Sequence, residues 1–281
     1  MSSTSPIAVT GSTGVVGGMV ARTLAARGLP LRLLVRDPSR APDLPGATVA
    51  QAEYGDRSAV REALTGTEVV FMVSAAESVD RLEQHLDFVD AAAHAGVEHL
   101  VYLSFFGASP TATFTLARDH FATEEHIRRH EHIAHTFLRD NFYLDFLPKL
   151  AGDDGVIRGP AGDGRVAAVA QADVAAVAAE VLTRPAQHRN VTHDLTGPAA
   201  LTLTEAAAII TERTGRTVRF HDETIEEAYQ SRLRWPAEQW QYDAWVSTYT
   251  AIAAGELDGP TDTVAEITGR PPIGLRDLLA G

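Results

Sequence analysis

A chain of 281 residues, 45% of them apolar, is long enough to bury roughly 75% of its unfolded surface. Its formal charge of −13 excludes a nucleic-acid surface, which needs clustered positive charge, and the lack of cysteine excludes disulfides, thiol chemistry and cysteine-based metal sites. Lys149 is the only lysine among the 24 basic residues, so a Walker-type Gly-Lys phosphate loop is excluded as well.

The first twenty residues carry the strongest signal. Ile7 and Val9 lie in a short β-branched run that stops on Gly11, Gly14 and Gly17 and then turns helical. In such a turn the first glycine permits the bend, the second lets backbone approach a pyrophosphate, and the third lets the helix lie close to the strand. The unsatisfied amides at the helix start then face the phosphates. Gly11, Ser12, Thr13, Gly14, Val15, Val16 and Gly17 are therefore the candidate cofactor cradle. A helix over Met19–Arg27 and a strand over Leu31–Val35 supply the context that a glycine triplet needs. Arg36 ends that strand about 20 residues after the turn, where an acidic residue would bind the ribose diol of NAD and a basic one a 2′-phosphate. Arg36 favours NADP(H), while Asp37 beside it leaves NAD(H) open.

Thr48–Ala50, Val69–Val73 and His99–Leu103 read as further buried strands, separated by helices at Arg57–Leu64 and Val79–Ala95. Asp56 is a candidate border of the adenine, with turn formation as the alternative. Ser74 and Ala75 end the fourth strand, on the sheet edge where ligands sit. The Val79–Ala95 helix is expected to bury Leu82, Leu86, Val89 and Ala93 and to stop at Gly96. A helix over 115–130 and a strand at Thr136–Leu138 complete a doubly wound Rossmann pattern, for which the strand order 3-2-1-4-5-6 is expected.

After Leu147-Pro148 the character changes. Five glycines punctuate a loop-rich stretch from Gly152 to Arg165-Val166, and helices follow at Ala172–Thr183 and Leu203–Thr214, the latter with Thr204 and Glu205 at its start. His193–Leu195 reads as one more strand, and the last seventy residues as mostly helical. The expected division is a dinucleotide-binding domain over 1–147. The rest, 148–281, is expected to complete the sheet edge and form a small, mostly helical substrate-binding subdomain.

Two residue clusters invite sharper readings. Five of the eleven histidines lie between His120 and His135, but His130-Glu-His-Ile-Ala-His135 fails the H-E-x-x-H spacing because Ala134 stands where the second histidine belongs. No metal site is expected, and most of these histidines read as solvated helix positions. Trp235, Trp240 and Trp245 fall within eleven residues, and Tyr242, Trp245 and Tyr249 share a helical face, as a core stripe or as a wall over a planar substrate.

Taken in order, VTGSTGVVGG, VRDPSR, AAAHAGVEHLVYLS, GPAGDGRVA, ADVAAVAAEVLT and DLTGPAALTLTEAA resemble the NmrA-like atypical short-chain dehydrogenases, within them the quinone oxidoreductase and triphenylmethane reductase members. The resemblance spans nearly the whole chain. It implies an α/β Rossmann domain binding NADP(H) and a C-terminal substrate-binding subdomain. Ordinary short-chain dehydrogenases use a Tyr-x-x-x-Lys pair for proton transfer. Here the residue four before Lys149 is Asp145, and the comparable positions hold His120 and Glu124. Ser104 matches the family's serine, so Ser104 and His120 are the candidate catalytic residues, with Phe105, Asn141, Phe142 and Tyr143 at the substrate wall.

Without the Tyr/Lys pair, the reading is hydride transfer from NADPH to a quinone or similar small planar, electron-poor aromatic, which needs little acid help. A non-catalytic cofactor sensor and a tailoring reductase of an aromatic biosynthetic intermediate stay open. The MSSTSP start lacks the basic flank and apolar region of a signal peptide, and no apolar run approaches the ~20 residues of a membrane span. A cytoplasmic protein with neither membrane nor nucleic-acid partners is expected, and homodimerisation is left open.

Overall fold

The computed structural model describes residues 5–280; the first four residues of the MSSTSP start lie outside them. The elements are β1 (Ile7–Thr10), α1 (Val15–Ala26), β2 (Leu31–Val35), β3 (Ala47–Gln51), α2 (Arg57–Leu64), β4 (Val69–Val73), α3 (Arg81–Ala95), β5 (His99–Phe105), α4 (Thr115–Arg128) and β6 (Ala134–Asp140). There follow β7 (Val156–Gly159), β8 (Arg165–Val166), α5 (Gln171–Thr183), β9 (Val191–Leu195), β10 (Leu201–Thr202), α6 (Leu203–Thr214), β11 (Arg219–Asp222), α7 (Ile225–Arg232), α8 (Gln239–Ala253), α9 (Thr263–Thr268) and α10 (Leu275–Leu278).

Seven strands make one sheet in the order β3-β2-β1-β4-β5-β6-β9. This is the expected Rossmann order, with β9 added at the edge. Ile7 in β1 stands opposite Leu31 of β2 and Val69 of β4, both parallel. All four β1 residues are buried, as a strand covered by helices on both faces requires. Chain order reverses between β1 and β4, the switch point outside which open α/β sheets bind ligands.

The chain forms two compact units. One comprises the residues up to Ser104, Asp119–Arg139 and Val174–His193. Its core gathers Leu64, Val70, Met72, Phe88, Leu100 and Phe137. The other comprises Phe105–Arg118, Asp140–Asp173 and the residues from Asp194 onward, around Leu144, Leu147, Ile157, Leu203, Ile210 and Ile252. The segments of the two units thus alternate along the chain, where the sequence suggests one break after 147.

In the second unit β7 pairs with β11 and β8 with β10. The sequence shows only a glycine-rich loop there, because these strands are two to four residues long. At least one of the glycines is needed for packing. A Cβ on Gly159 would lie 2.1 Å from the Tyr249 ring.

Helix α6 spans Leu203–Thr214 as expected and is capped by Thr202, whose hydroxyl accepts the Glu205 N–H while the Glu205 carboxylate accepts the Thr202 N–H. One local expectation is corrected. Helix α3 buries Arg81, His85, Phe88, Val89, Ala91 and Ala92, with Leu82 and Leu86 only half-buried. The face is rotated from the expected one because Arg81 and His85 find partners inside. Among the described residues, no helix is long and apolar enough to cross a membrane.

Candidate functional site

The glycine turn closes with the Gly14 N–H donating to the Gly11 carbonyl at 2.9 Å. Gly11 has φ +63, and a Cβ there would meet Val73 Cβ at 2.9 Å, so the turn lies directly against the end of β4. The Val73 N–H donates to Thr10 Oγ1 at 2.9 Å, joining the same two strand ends. A Cβ on Gly17 would sit 2.4 Å from the Gly11 carbonyl oxygen, which confirms that α1 lies too close to the turn for any side chain there. Gly14 differs: it is exposed, has φ −93, and a Cβ would meet only the Gly11 oxygen at 3.3 Å. The fold itself hardly demands glycine at position 14.

Three features make this turn a ready anion cradle. Gly14 is the N-cap of α1 and supplies no side-chain cap. No acidic residue occupies the first turn of the helix. The Ser12 hydroxyl is buried without a hydrogen-bond partner, a costly state for a polar atom unless a ligand satisfies it. Val15 beside it is 51% exposed.

At the end of β2, Arg36 is exposed. Asp37 caps its own turn, accepting the Ser39 N–H at 3.0 Å and the Ser39 hydroxyl at 2.7 Å, and these bonds hold its carboxyl below the ordinary range. Both bonds go to Oδ1, so that oxygen is already engaged. Asp56 caps α2 by accepting the Ala59 N–H at 2.9 Å.

The end of β4 is held from beneath by two side chains the sequence reading did not single out. The Ala75 N–H donates to His85 Nε2 at 2.8 Å, and Arg81 Nε donates to the Ala75 carbonyl at 3.2 Å. Arg81 also reaches Asp119 Oδ2 at 3.2 Å and His120 Nε2 at 2.8 Å. A backbone amide and a guanidinium can only donate, so both histidines accept on Nε2 and carry their proton on Nδ1. His85 Nδ1 then donates to Thr123 Oγ1 at 3.0 Å and His120 Nδ1 to the Tyr102 hydroxyl at 2.9 Å. The signal was present as Arg81 and His85 at i, i+4, facing His120 and Thr123 at i, i+3.

Burial, and next the Arg81 charge, hold both histidines well below the usual imidazole value. They are neutral at pH 7, and protonating either would destroy an accepting contact. Because their proton affinity is lower in the folded than in the unfolded chain, the native state binds fewer protons and stability rises with pH. That contribution is complete above the unfolded value of 6.5 and is lost progressively as pH falls below it toward the folded values. The urea midpoint should therefore drop between about pH 7.5 and about pH 5.5, and His85→Gln should reduce the drop. Equal drops in parent and variant would disprove the assignment to His85.

Ser104 ends its unit's share of β5 fully buried, donating to Glu124 Oε1 at 2.6 Å. Glu124, also fully buried, receives Arg139 through both oxygens at 2.8 and 2.6 Å. Gly11 to Gly17, Ser74, Ala75, Ser104 and His120 thus belong to one unit, with Arg36 and Asp56 on its surface.

Phe105, Asn141, Phe142 and Tyr143 belong to the other unit. Phe105 packs on Phe114 with ring centroids 4.9 Å apart. Asn141 is buried, donating through Nδ2 to the Leu257 carbonyl at 3.1 Å and accepting the Phe142 N–H at 2.7 Å. Phe142 and Tyr143 both meet Phe146 edge-on. Burial pushes the Asp140 carboxyl up to about 7, against the opposing effect of its hydrogen bond from Tyr143. Of the tryptophans, Trp235 is half exposed under Arg234, and Trp245 lies edge-on to Tyr242.

Known proteins share this fold and much of this sequence. The model of the NmrA-like family matches residues 3–241. Quinone oxidoreductase 2 of Escherichia coli (strain K12) is 36% identical over 281 aligned positions, covering 98% of this chain and 97% of its own. The crystal structure of the E. coli NADPH-dependent quinone oxidoreductase QOR2 complexed with NADPH superposes with a TM-score of 0.89 at 31% identity, covering 98% of both chains. The Citrobacter sp. triphenylmethane reductase complexed with NADP(H) gives a TM-score of 0.86 at 29% identity, covering 97% of this chain and 98% of its own.

Proposed function

The chain belongs to the NmrA-like family, and from that premise we propose that it is an NADPH-dependent oxidoreductase reducing a quinone or a similarly planar, electron-poor aromatic. The observation that carries the reading is the start of α1, uncapped and unopposed by acidic side chains beside the unpartnered Ser12 hydroxyl. In relatives named for quinone and triphenylmethane reduction, the bound nucleotide is NADPH or NADP(H). Such a cofactor supplies a hydride when bound; the acceptor takes that hydride and a proton from water.

The chain's own residues bind and orient. Amides of the Ser12–Gly17 turn other than that of Gly14, which closes onto the Gly11 carbonyl, receive the pyrophosphate, and Arg36 the 2′-phosphate, with Asp37 already turned onto Ser39. Asp56, Ser74 and Ala75 border the nucleotide. Ala75 is fixed from below by His85 and Arg81, so His120 acts by locking Arg81 in place. Ser104 lies at the β5 end, and Phe105, Asn141, Phe142 and Tyr143 supply the substrate wall. A tyrosine–lysine relay is not used: Lys149 is exposed with its Nζ over the Phe146 ring at 5.6 Å, and Asp145 stands four residues before it. The cytoplasm, where reduced nicotinamide cofactor is supplied, is the implied compartment.

The test is oxidation of NADPH and NADH against a panel of small quinones, followed by the near-ultraviolet absorbance of the reduced nicotinamide. Each charge-assisted bond to the 2′-phosphate is worth about 1.5–3 kcal/mol, so kcat/KM should favour NADPH by about tenfold or more. Arg36→Ala should erase most of that preference. No oxidation with any quinone would overturn the enzymatic reading, and equal use of both cofactors by the parent would overturn the role of Arg36.

A further inference from the structure

The histidine-rich end of α4 assembles a cluster that its own spacing does not reveal. His126 lies in the last turn of α4 and His130 two residues beyond its end, and their imidazoles converge on one point. There they meet Asp90, on α3, whose Oδ1 accepts His126 Nε2 at 2.7 Å and His130 Nε2 at 3.1 Å. The two rings stand edge to face, 5.3 Å apart. All three side chains are about 20% exposed, enough for an ion to reach them from solvent. The other carboxylate oxygen, Oδ2, lies 3.1 Å from the Arg57 guanidinium, which fixes the plane of the carboxylate.

We propose that Asp90, His126 and His130 form a binding site for a divalent transition metal of the zinc class. Two imidazole nitrogens and one carboxylate oxygen are a donor set such ions take, with water as a fourth ligand. The three ligand atoms already lie within 4.8 Å of one another. Tetrahedral coordination at ordinary zinc bond lengths sets ligand atoms about 3.3 Å apart, so the present nitrogen–oxygen distances need open by only a few tenths of an ångström. On metal binding each imidazole gives up the Nε2 proton it now shares with Asp90, keeps one on Nδ1 and offers Nε2 to the ion. The ion then replaces two shared protons as the bridge between α3 and α4, the helices that also carry Arg81, His85 and His120. Metal binding is thereby coupled to the stability of that helix pair.

The experiment uses the full chain without a polyhistidine tag, stripped with chelator and titrated with Zn²⁺ by calorimetry and thermal unfolding. One equivalent should bind, with Tm raised by roughly 5 °C when free Zn²⁺ exceeds Kd a hundredfold. His126→Ala and His130→Ala should each weaken binding by at least about tenfold. His188→Ala should not, although His188 and His193 form the other close histidine pair of this unit, at 3.1 Å. Unchanged affinity in both the His126 and His130 variants, or an equal Tm rise with Mg²⁺, would overturn the proposal. Co²⁺ provides a reading on the unmutated chain: it should develop the intense visible bands of tetrahedral nitrogen–oxygen coordination, and a spectrum identical to that of the aqueous ion would also overturn it.

Discussion

Gly14→Val should leave the protein folded and cost NADPH affinity on the order of a hundredfold. The backbone at position 14 has φ −93, open to any residue, and the Cβ would meet nothing nearer than the Gly11 oxygen at 3.3 Å. On the proposed reading the need for glycine comes from the ligand, whose phosphates would approach the backbone there. Pushing them away loses two or so charge-assisted bonds of about 1.5–3 kcal/mol each. Gly17→Val should behave in the opposite sense. Its Cβ would fall 2.4 Å from the Gly11 oxygen, so the damage is to folding and should show as a lower Tm even without cofactor. Calorimetric titration with NADPH and thermal scans of the apo-proteins separate the two. Parental affinity in Gly14→Val would mean the phosphates sit elsewhere.

Glu124→Ala should lower stability by about 3–5 kcal/mol, the usual consequence of removing one member of a buried ion pair. Glu124 is fully buried, Arg139 embraces both its oxygens, and Arg128 approaches Oε2 at 3.4 Å. At about 2–4 °C per kcal/mol, Tm should fall by roughly 10 °C. Ser104→Ala removes only a neutral donor from the same carboxylate and should cost about 1 kcal/mol. A Glu124→Ala protein melting at the parental temperature would show that the ion pair contributes nothing net.

The elements read best from sequence were those whose reason is local. Apolar runs such as Val69–Val73 and His99–Leu103 are buried on both faces of the sheet, so composition alone marks them. The glycine turn likewise carries its reason in residue type. Helix α3 was misjudged by one position around its face because periodicity counts Arg81 and His85 as solvent-facing. They are inside because Asp119, His120 and Thr123, thirty-eight or so residues away, satisfy them. The same distance hid Asp90 from His126 and His130. Placing His120 beside Arg81 and Tyr102 required knowing that α3 and α4 are neighbours, which no spacing within either helix states. The strands β7, β8, β10 and β11 are too short for any period to emerge.

The scarcity of lysine has a consequence for how this protein can be adjusted after synthesis. The salt bridges at Asp119, Glu124, Asp90, Glu180 and Asp173 take arginine as the cation. Guanidinium groups keep their proton at any pH a cell encounters, and they are not substrates for the acylating and carbamylating chemistry that neutralises amines. Alkaline titration and lysine acetylation therefore leave these contacts intact. Only the acidic direction, through carboxylates and the buried imidazoles, gives protons a way to dismantle them.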